Sequence, residues 1–501
     1  MSFWEKITKP FEKVVGGIVN IVTGVVGEVI SWVIDIPEAP DFTAQQNGFL
    51  INKQSNNASI PIVYGERKVG GTRVFVSTSG SDNEFLYLVI VLCEGEVNSI
   101  GDVFIDDTIS TDSKFDNLVT INKYVGTDSQ TADSTLVNAN IGWTSNHRLR
   151  GLAYLAVRIK FDQDVFSSLP TINAIVQGRK VYDPRTDTTV YSSNPAICLR
   201  DYLTNSRYGK GLPTSVIDDT SFSATANKCD SLIAEYSGQS EDTKIFECNA
   251  IIDTSQKLFD NVNVFLRGMR GIMPYQNGLY KLVFEDDEDP AFTINEDQII
   301  GGLSVTSTPK NTRYNKVIVQ FPNPDTNWQV DTVIWPPAGS SEESAFLSED
   351  NNIEMSREVT LPTITNQYSA RDLARVICLA SRKSTLSLSL EVTADGLQAE
   401  VGDIVAVTHP TPAWEGKEFR IASIQILAQG TVRLALQEHT AAIYPWNEGS
   451  VIEPQNESTL PNPFTVAGIE NLTLTATAVV NDDGITVPAI QVDWDVSSDN
   501  F

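Results

Sequence analysis

Histidine occurs only three times in 501 residues, and His147, His409 and His439 each stand apart from any cysteine or acidic pair at ligand spacing. A zinc site is therefore not expected. Cysteine is scarce too. Cys93, Cys198, Cys229, Cys248 and Cys378 make no CxxC pair, and an odd count leaves at least one thiol free. Three of them sit in apolar context (VIVLCEG, AICLRD, RVICLAS), which reads as buried thiols made in a reducing compartment. Positive charge is short: 36 basic residues face 64 acidic ones, a net charge of −28. That balance excludes a general nucleic-acid binder, which needs cations to release counterions from phosphates. It also argues against docking to an anionic membrane surface. A channel wall past which DNA slides without adhering stays compatible with it. G-x-S-x-G, HExxH, P-loop and Rossmann patterns are all missing. No carboxylate pair stands out for glycoside hydrolysis. No catalytic, cofactor-binding or metal-ligating residue is expected, and the chain reads as a non-enzyme.

What is present is material for several cores. Hydrophobic residues make up 41% and charged residues 20%, too apolar for a disordered chain. The length corresponds to roughly three or four domains. Residues 14–36, VVGGIVNIVTGVVGEVISWVIDI, form one apolar run broken by Asn20, Glu28 and Asp35. At helical spacing Ile18, Val22, Val25, Val29 and Trp32 share a face, and small and polar residues fill the other. Three readings stay open for this helix: contact with partner subunits, insertion into a membrane, or burial in its own chain. The stripe is assigned to partner or membrane contact.

From residue 58 onward strand signals dominate, and the fold class is mainly β with a few helices (α+β). ASIPIVYGERKVGGTRVFVSTSG holds short strands with Gly65 and Gly70-Gly71 as turn or bulge points. The continuous run FLYLVIVLCE predicts a strand covered on both faces. INAIVQGRKVYDPRT reads as a hairpin turning at Gly178-Arg179. A helix is expected from Pro195, capped by Asn194 and ended by Gly209 and Gly211. A second is expected over 221–236, and a third carries Leu258, Val262 and Phe265. Asn277-Gly278 marks a two-residue hairpin turn. The clearest helix is 366–383, with Ser369 as N-cap and Arg371, Arg375, Arg382 and Lys383 outward. A strand meander follows, as in a small barrel or sandwich. The acidic run Glu285–Asp289 reads as a solvated loop. Residues 322–355 read as a loop-like insertion that reaches a neighbouring subunit or ring. The expected divisions are 1–40 (apolar helix and linker), 41–194 (β-rich), 195–320 (α+β), 321–366 (loop-rich insertion), 367–450 (helix plus small β-barrel) and 451–501. The last begins like a fibronectin-III sandwich with too few strands to close, as if the chain were the front of a longer protein.

The stretches IPIVYGERKVGGTRVF, YLVIVLCEGEVNSIGDVFIDD, KVYDPRTDTTVYSSNPAICLRDYLTNSRYGKGL and YSARDLARVICLASRKSTLSLSLEVTADGLQAEVGDIVAVTHP resemble the tip attachment protein J family, the central tail hubs of lambda-like siphophages. The resemblance runs from about residue 40 to the end. It implies a structural virion protein made of several β-barrels or sandwiches. Such a protein forms a homotrimer at the distal tail tip, closes the tube, joins it to the tip or central fibre and lines part of the DNA-ejection channel. It implies contacts with the distal tail ring protein, the tape-measure protein and other tail-tip proteins. It places any host receptor on a part beyond this chain, and no cofactor. Two other roles stay in view. One is a tip adhesin, with Trp328, Trp335 and Trp414 as exposed aromatics that stack on sugars or, equally well, as anchors of their loops. The other is a tail-associated cell-wall hydrolase.

Overall fold

The computed structural model describes residues 42–53, 59–166, 168–233, 244–445, 470–480 and 484–495. The contact stripe Ile18, Val22, Val25, Val29 and Trp32 lies outside the described residues. The chain divides after Glu448 into two compact units.

The larger unit is strand-rich, with seven α-helices among the described residues. Four strands form antiparallel sheet A, in the order Thr72–Ser79, Phe85–Glu94, Leu152–Lys160 and Val119–Val125. Sheet B runs Thr188–Tyr191, Ile172–Asp183, Val97–Ile105 and Thr108–Ile109, with Glu66–Val69 also on Ile172–Asp183. The two sheets enclose a core of Leu88, Ile90, Leu92, Val97, Val103, Leu155, Val157, Ala174 and Val176. The opposite face of sheet A packs Tyr87, Val89, Val91 and Tyr154 against Leu136 and Trp143. The apolar run 85–94 is thus covered on both faces, as its lack of alternation predicts.

Helices α1 (Phe42–Leu50) and α2 (Ser134–Asn138) flank these sheets in sequence. Helices α3 (Pro195–Thr204), α4 (Asp219–Cys229) and α5 (Leu258–Arg267) then build a second core. Asn194 caps α3 as expected, its Oδ1 accepting from Ala196 N at 3.1 Å. The helix stops at Thr204, before the two glycines. Gly209 and Gly211 instead let the following loop fold back onto it: a Cβ at Gly209 would stand 1.7 Å from the Tyr202 carbonyl oxygen. Helix α4 is shorter than expected, because Leu232 leaves it to bridge with Lys244. Asn277-Gly278 turns with φ of 55° and 82° between paired Tyr275–Gln276 and Leu279–Tyr280, as predicted.

The segment read as a loop-like insertion is largely regular structure. Sheet C places Lys316–Asn323 between antiparallel Gln329–Trp335 and parallel Ser356–Thr360. Helix α6 (Ser341–Glu349) lies between the last two in sequence. Helix α7 (Gln367–Lys383) packs on sheet C, burying Leu373, Ala374 and Cys378. Its cap is Asn366, not Ser369. The Asn366 side chain accepts from Tyr368 N at 2.8 Å, whereas the buried Ser369 hydroxyl donates to Ile245 O at 2.6 Å. Two of its arginines are not outward. Arg375 donates to Asp372 at 2.7 Å and to the Ile443 carbonyl at 2.9 Å. Arg382 donates to Asp350 at 2.7 Å, also pairs with Glu349, and lies over Phe346. The helix face that should meet solvent meets α6 and residues 443–444. The meander forms sheet D: Phe292–Ile294, Ile404–His409, Trp414–Ile426, Val432–Glu438, Leu386–Val392 and Ser304–Ser307.

The smaller unit presents one hairpin, Glu470–Val480 with Thr486–Asp495. Cross-strand pairs Leu474↔Val492, Ala476↔Ile490 and Ala478↔Pro488 share one face, and Thr473↔Asp493 and Thr475↔Gln491 the other.

One expectation about sheet B is corrected. Gly178-Arg179 is not a turn: Ile172–Asp183 is a single strand, and the chain reverses at 184–187. Gly178 serves a close approach. Its N–H donates to Gly65 O at 2.7 Å, and a Cβ there would stand 2.2 Å from Val63 O. Gly178→Ala should therefore lower stability by at least about 2 kcal/mol. Gly101→Ala, whose Cβ would make ordinary contact at 3.6 Å, should change it by less than about 1 kcal/mol. Denaturant midpoints of the two variants check this contrast.

Candidate functional site

The stretches that carry the family resemblance meet at one half-buried carboxylate. Tyr64 ends a strand in IPIVYGERK, and Asp201 and Tyr208 belong to LRDYLTNSRYGKG. Both phenols donate to Asp201 Oδ2 at 2.6 Å. Arg179, from the long strand of sheet B, stands 3.9 Å from the same oxygen and lies over the Tyr208 ring. Gly95 makes room for it, since a Cβ there would overlap Arg179 Nη1 at 1.5 Å. Tyr64 also meets Phe265 of α5 edge-on at 5.6 Å. Burial first, then the Asp201 charge, pushes the Tyr64 and Tyr208 hydroxyls well above the usual phenol range. Two neutral donors on one carboxylate hold it without a full countercharge. The arrangement is structural: it contains no nucleophile, and its tyrosines are protonated donors.

A second junction ties α1 and sheets B and C together. Arg67 is 1% exposed, bonds to Gln46 of α1, and lies 5.2 Å from the Trp328 ring. Burial pulls its guanidinium down to about 9. Lys68 donates to Asp107 at 2.9 Å and to Asn327 at 2.6 Å, over the Phe104 ring. The tip of the sheet C hairpin therefore docks within its own chain. This corrects two expectations. The hairpin tip is tied down through Asn327 and Trp328 and is not a free loop, and Trp328 and Trp335 are buried, at 6% and 5% exposure. Trp414 is half-buried beside Phe419. The sugar-stacking trio is not an exposed set.

The acidic run is not a free loop either. Glu285 accepts from Tyr444 OH at 2.8 Å, Asp286 pairs with Lys228 at 3.1 Å, and Asp287 lies 3.0 Å from His439 Nε2. Sequence spacing hid this, because His439 lies 152 residues from Asp287. Among the described residues, Asp287, Glu418 and His439 are the group with metal-ligand chemistry, their ligand atoms within 4.8 Å of one another. No helix among the described residues is long and apolar enough to cross a membrane.

This architecture has relatives. Residues 260–424 match a family model described as "Putative phage tail protein". Baseplate hub protein pb3 of Escherichia phage T5 is 24% identical, over 82% of this chain and 52% of its own length. The chain is homologous to phage tail-hub proteins. Tip attachment protein J of Escherichia phage SECphi27 is 23% identical over 52% of this chain and 22% of its own. The chain thus spans about half, or less, of the length of these curated relatives. A chain in the solved "Virion of native gene transfer agent (GTA) particle" shares the fold, with a TM-score of 0.58 at 14% identity, covering 88% of this chain and 98% of that one. The names of these relatives, a baseplate hub protein and a tip attachment protein, point to the distal tail of a virion as the setting of this architecture.

Two measurements test the tyrosine junction. Asp201→Ala leaves two buried hydroxyls unpaired and should destabilise the hub relative by about 2–6 kcal/mol, with Asp201→Asn milder, as read by denaturant unfolding. The phenols also predict alkaline lability. Free tyrosines ionise near 10.0, whereas burial raises Tyr64, Tyr208 and Tyr444 above that value. Above pH 10 the folded chain holds protons that the unfolded chain releases, so their stabilisation is full below pH 10 and falls as pH rises beyond it. Unfolding midpoints should hold up to roughly pH 10 and fall progressively above it.

Proposed function

We propose that the chain acts as a homotrimeric central hub. It closes the distal end of the tail tube, joins it to the tip or central fibre and forms part of the passage for ejected DNA. The supporting observation is the similarity to a baseplate hub protein along 82% of this chain. The residues agree with that role. A net charge of −28 suits a wall that DNA must pass without sticking. Its buried polar junctions are built for rigidity, not for turnover.

In this reading the partners are two further copies, the distal tail ring protein, the tape-measure protein and other tip proteins. Ile18, Val22, Val25, Val29 and Trp32 pack against their counterparts around the three-fold axis, since three copies can bury one another's stripe. The part of the sheet C segment available to a neighbour is 337–355, where Ile353 is 62% exposed. The adhesin reading loses its main support with Trp328 and Trp335 buried.

Complementation tests the proposal. A phage lacking the chain should yield heads without finished tails, and the unaltered chain supplied in trans should restore plaques. Val25→Glu should fail to restore them. Infectious tails formed without the chain would contradict the hub role. Full rescue by Val25→Glu would contradict the axial stripe alone.

A further inference from the structure

We propose that Asp287, Glu418 and His439 form a binding site for a divalent transition-metal ion of the zinc or manganese class. This goes beyond the hub role and does not depend on it. The three ligands come from separate segments: the acidic run after Val283–Phe284, the strand Trp414–Ile426 and the residue following Val432–Glu438. The His439 side chain is wholly buried, while Asp287 remains 46% exposed. One ligand is thus preset in the interior, and the other side is open for an ion and its waters.

The geometry fits. Two ligand atoms each about 2.1 Å from an ion stand about 3 Å apart in an octahedral site and about 3.4 Å apart in a tetrahedral one. His439 Nε2 and Asp287 Oδ1 are separated by 3.0 Å. The ring is fixed: it stacks on Tyr444 at 5.2 Å, and its backbone N–H donates to Glu418 O at 3.1 Å. An imidazole with two carboxylates suits first-row divalent ions, whereas calcium favours six to eight oxygens. Asp286, Glu288 and Asp289 add negative charge in the same run.

One neighbour sets the affinity. Arg420 is engaged by the carbonyls of Gly402, at 2.7 Å, and Asp286, and its Nη2 faces His439 Nδ1 at 3.5 Å. A metal-bound imidazole carries its hydrogen on the other ring nitrogen and wants an acceptor there. Here it meets a donor and a positive charge. Binding is therefore weaker than at a site with a carboxylate behind the ring. Arg420→Gln, whose amide oxygen can accept from Nδ1, should tighten it.

The test is titration of the full chain with zinc and with manganese chloride, followed by calorimetry and native mass spectrometry, with excess magnesium to occupy surface carboxylates. One zinc per chain is expected. Glu418→Gln and His439→Gln should each weaken binding at least tenfold, Glu418→Gln while keeping the ion-free unfolding midpoint, and Arg420→Gln should strengthen it several-fold. Absence of a stoichiometric ion, or binding unchanged in both ligand variants, overturns the proposal. Should a variant fail to fold, cobalt added to the unaltered chain decides. A visible band stronger than that of the hydrated ion supports ligation by His439, and the hydrated spectrum overturns it.

Discussion

Asp201 accepts from Tyr64 and Tyr208 through one oxygen, and with Arg179 this links three segments of the chain, around residues 64, 179 and 201–208. Buried donors and acceptors are expensive to leave unpaired, so this contact fixes how its elements meet as well as how strongly. Tyr64 leads directly into Gly65 and the strand Glu66–Val69 of sheet B, and Asp201 lies on α3. Moving any of them breaks a hydrogen bond inside the core. The close backbone approaches at Gly65, Gly95 and Gly178 surround this point and make it geometrically strict.

The other buried charges work the same way. Arg67 and Lys68 draw the tip of the sheet C hairpin onto sheet B, and Arg382 draws α6 onto α7. Each cation is held by a carboxylate, an amide or an aromatic face, which compensates its loss of water. The larger unit is thereby cross-braced by polar contacts between its hydrophobic cores. That suits the hub role proposed above. Asp287, Glu418 and His439 come together where the two central strands of sheet D meet the acidic run.

Local patterns were legible in the sequence where one residue type answers one local need. Asn194-Pro195 starts α3, Asn277-Gly278 makes a turn, and the unbroken run 85–94 is buried twice. The resemblance to tail hubs likewise pointed to the tail before any geometry was known. Long-range polar partners were not legible. Arg375 and Arg382 look solvent-facing on a helical wheel, yet Arg375 also reaches the Ile443 carbonyl and Arg382 the Asp350 and Glu349 carboxylates, all outside the helix. Gly178 reads as a turn because glycine marks turns more often than close approaches. Trp328 reads as a loop aromatic until Arg67 is seen beneath it. His439 has no ligand neighbour within its own segment, so its cluster exists only in three dimensions.

The central claim is a three-fold hub, and the number of copies in the intact virion tests it most directly. Quantitative mass spectrometry of purified particles, with isotope-labelled peptides from residues 42–445, counts them against the portal or another tail component. Three copies per particle are predicted. A single copy, or six, would contradict the account.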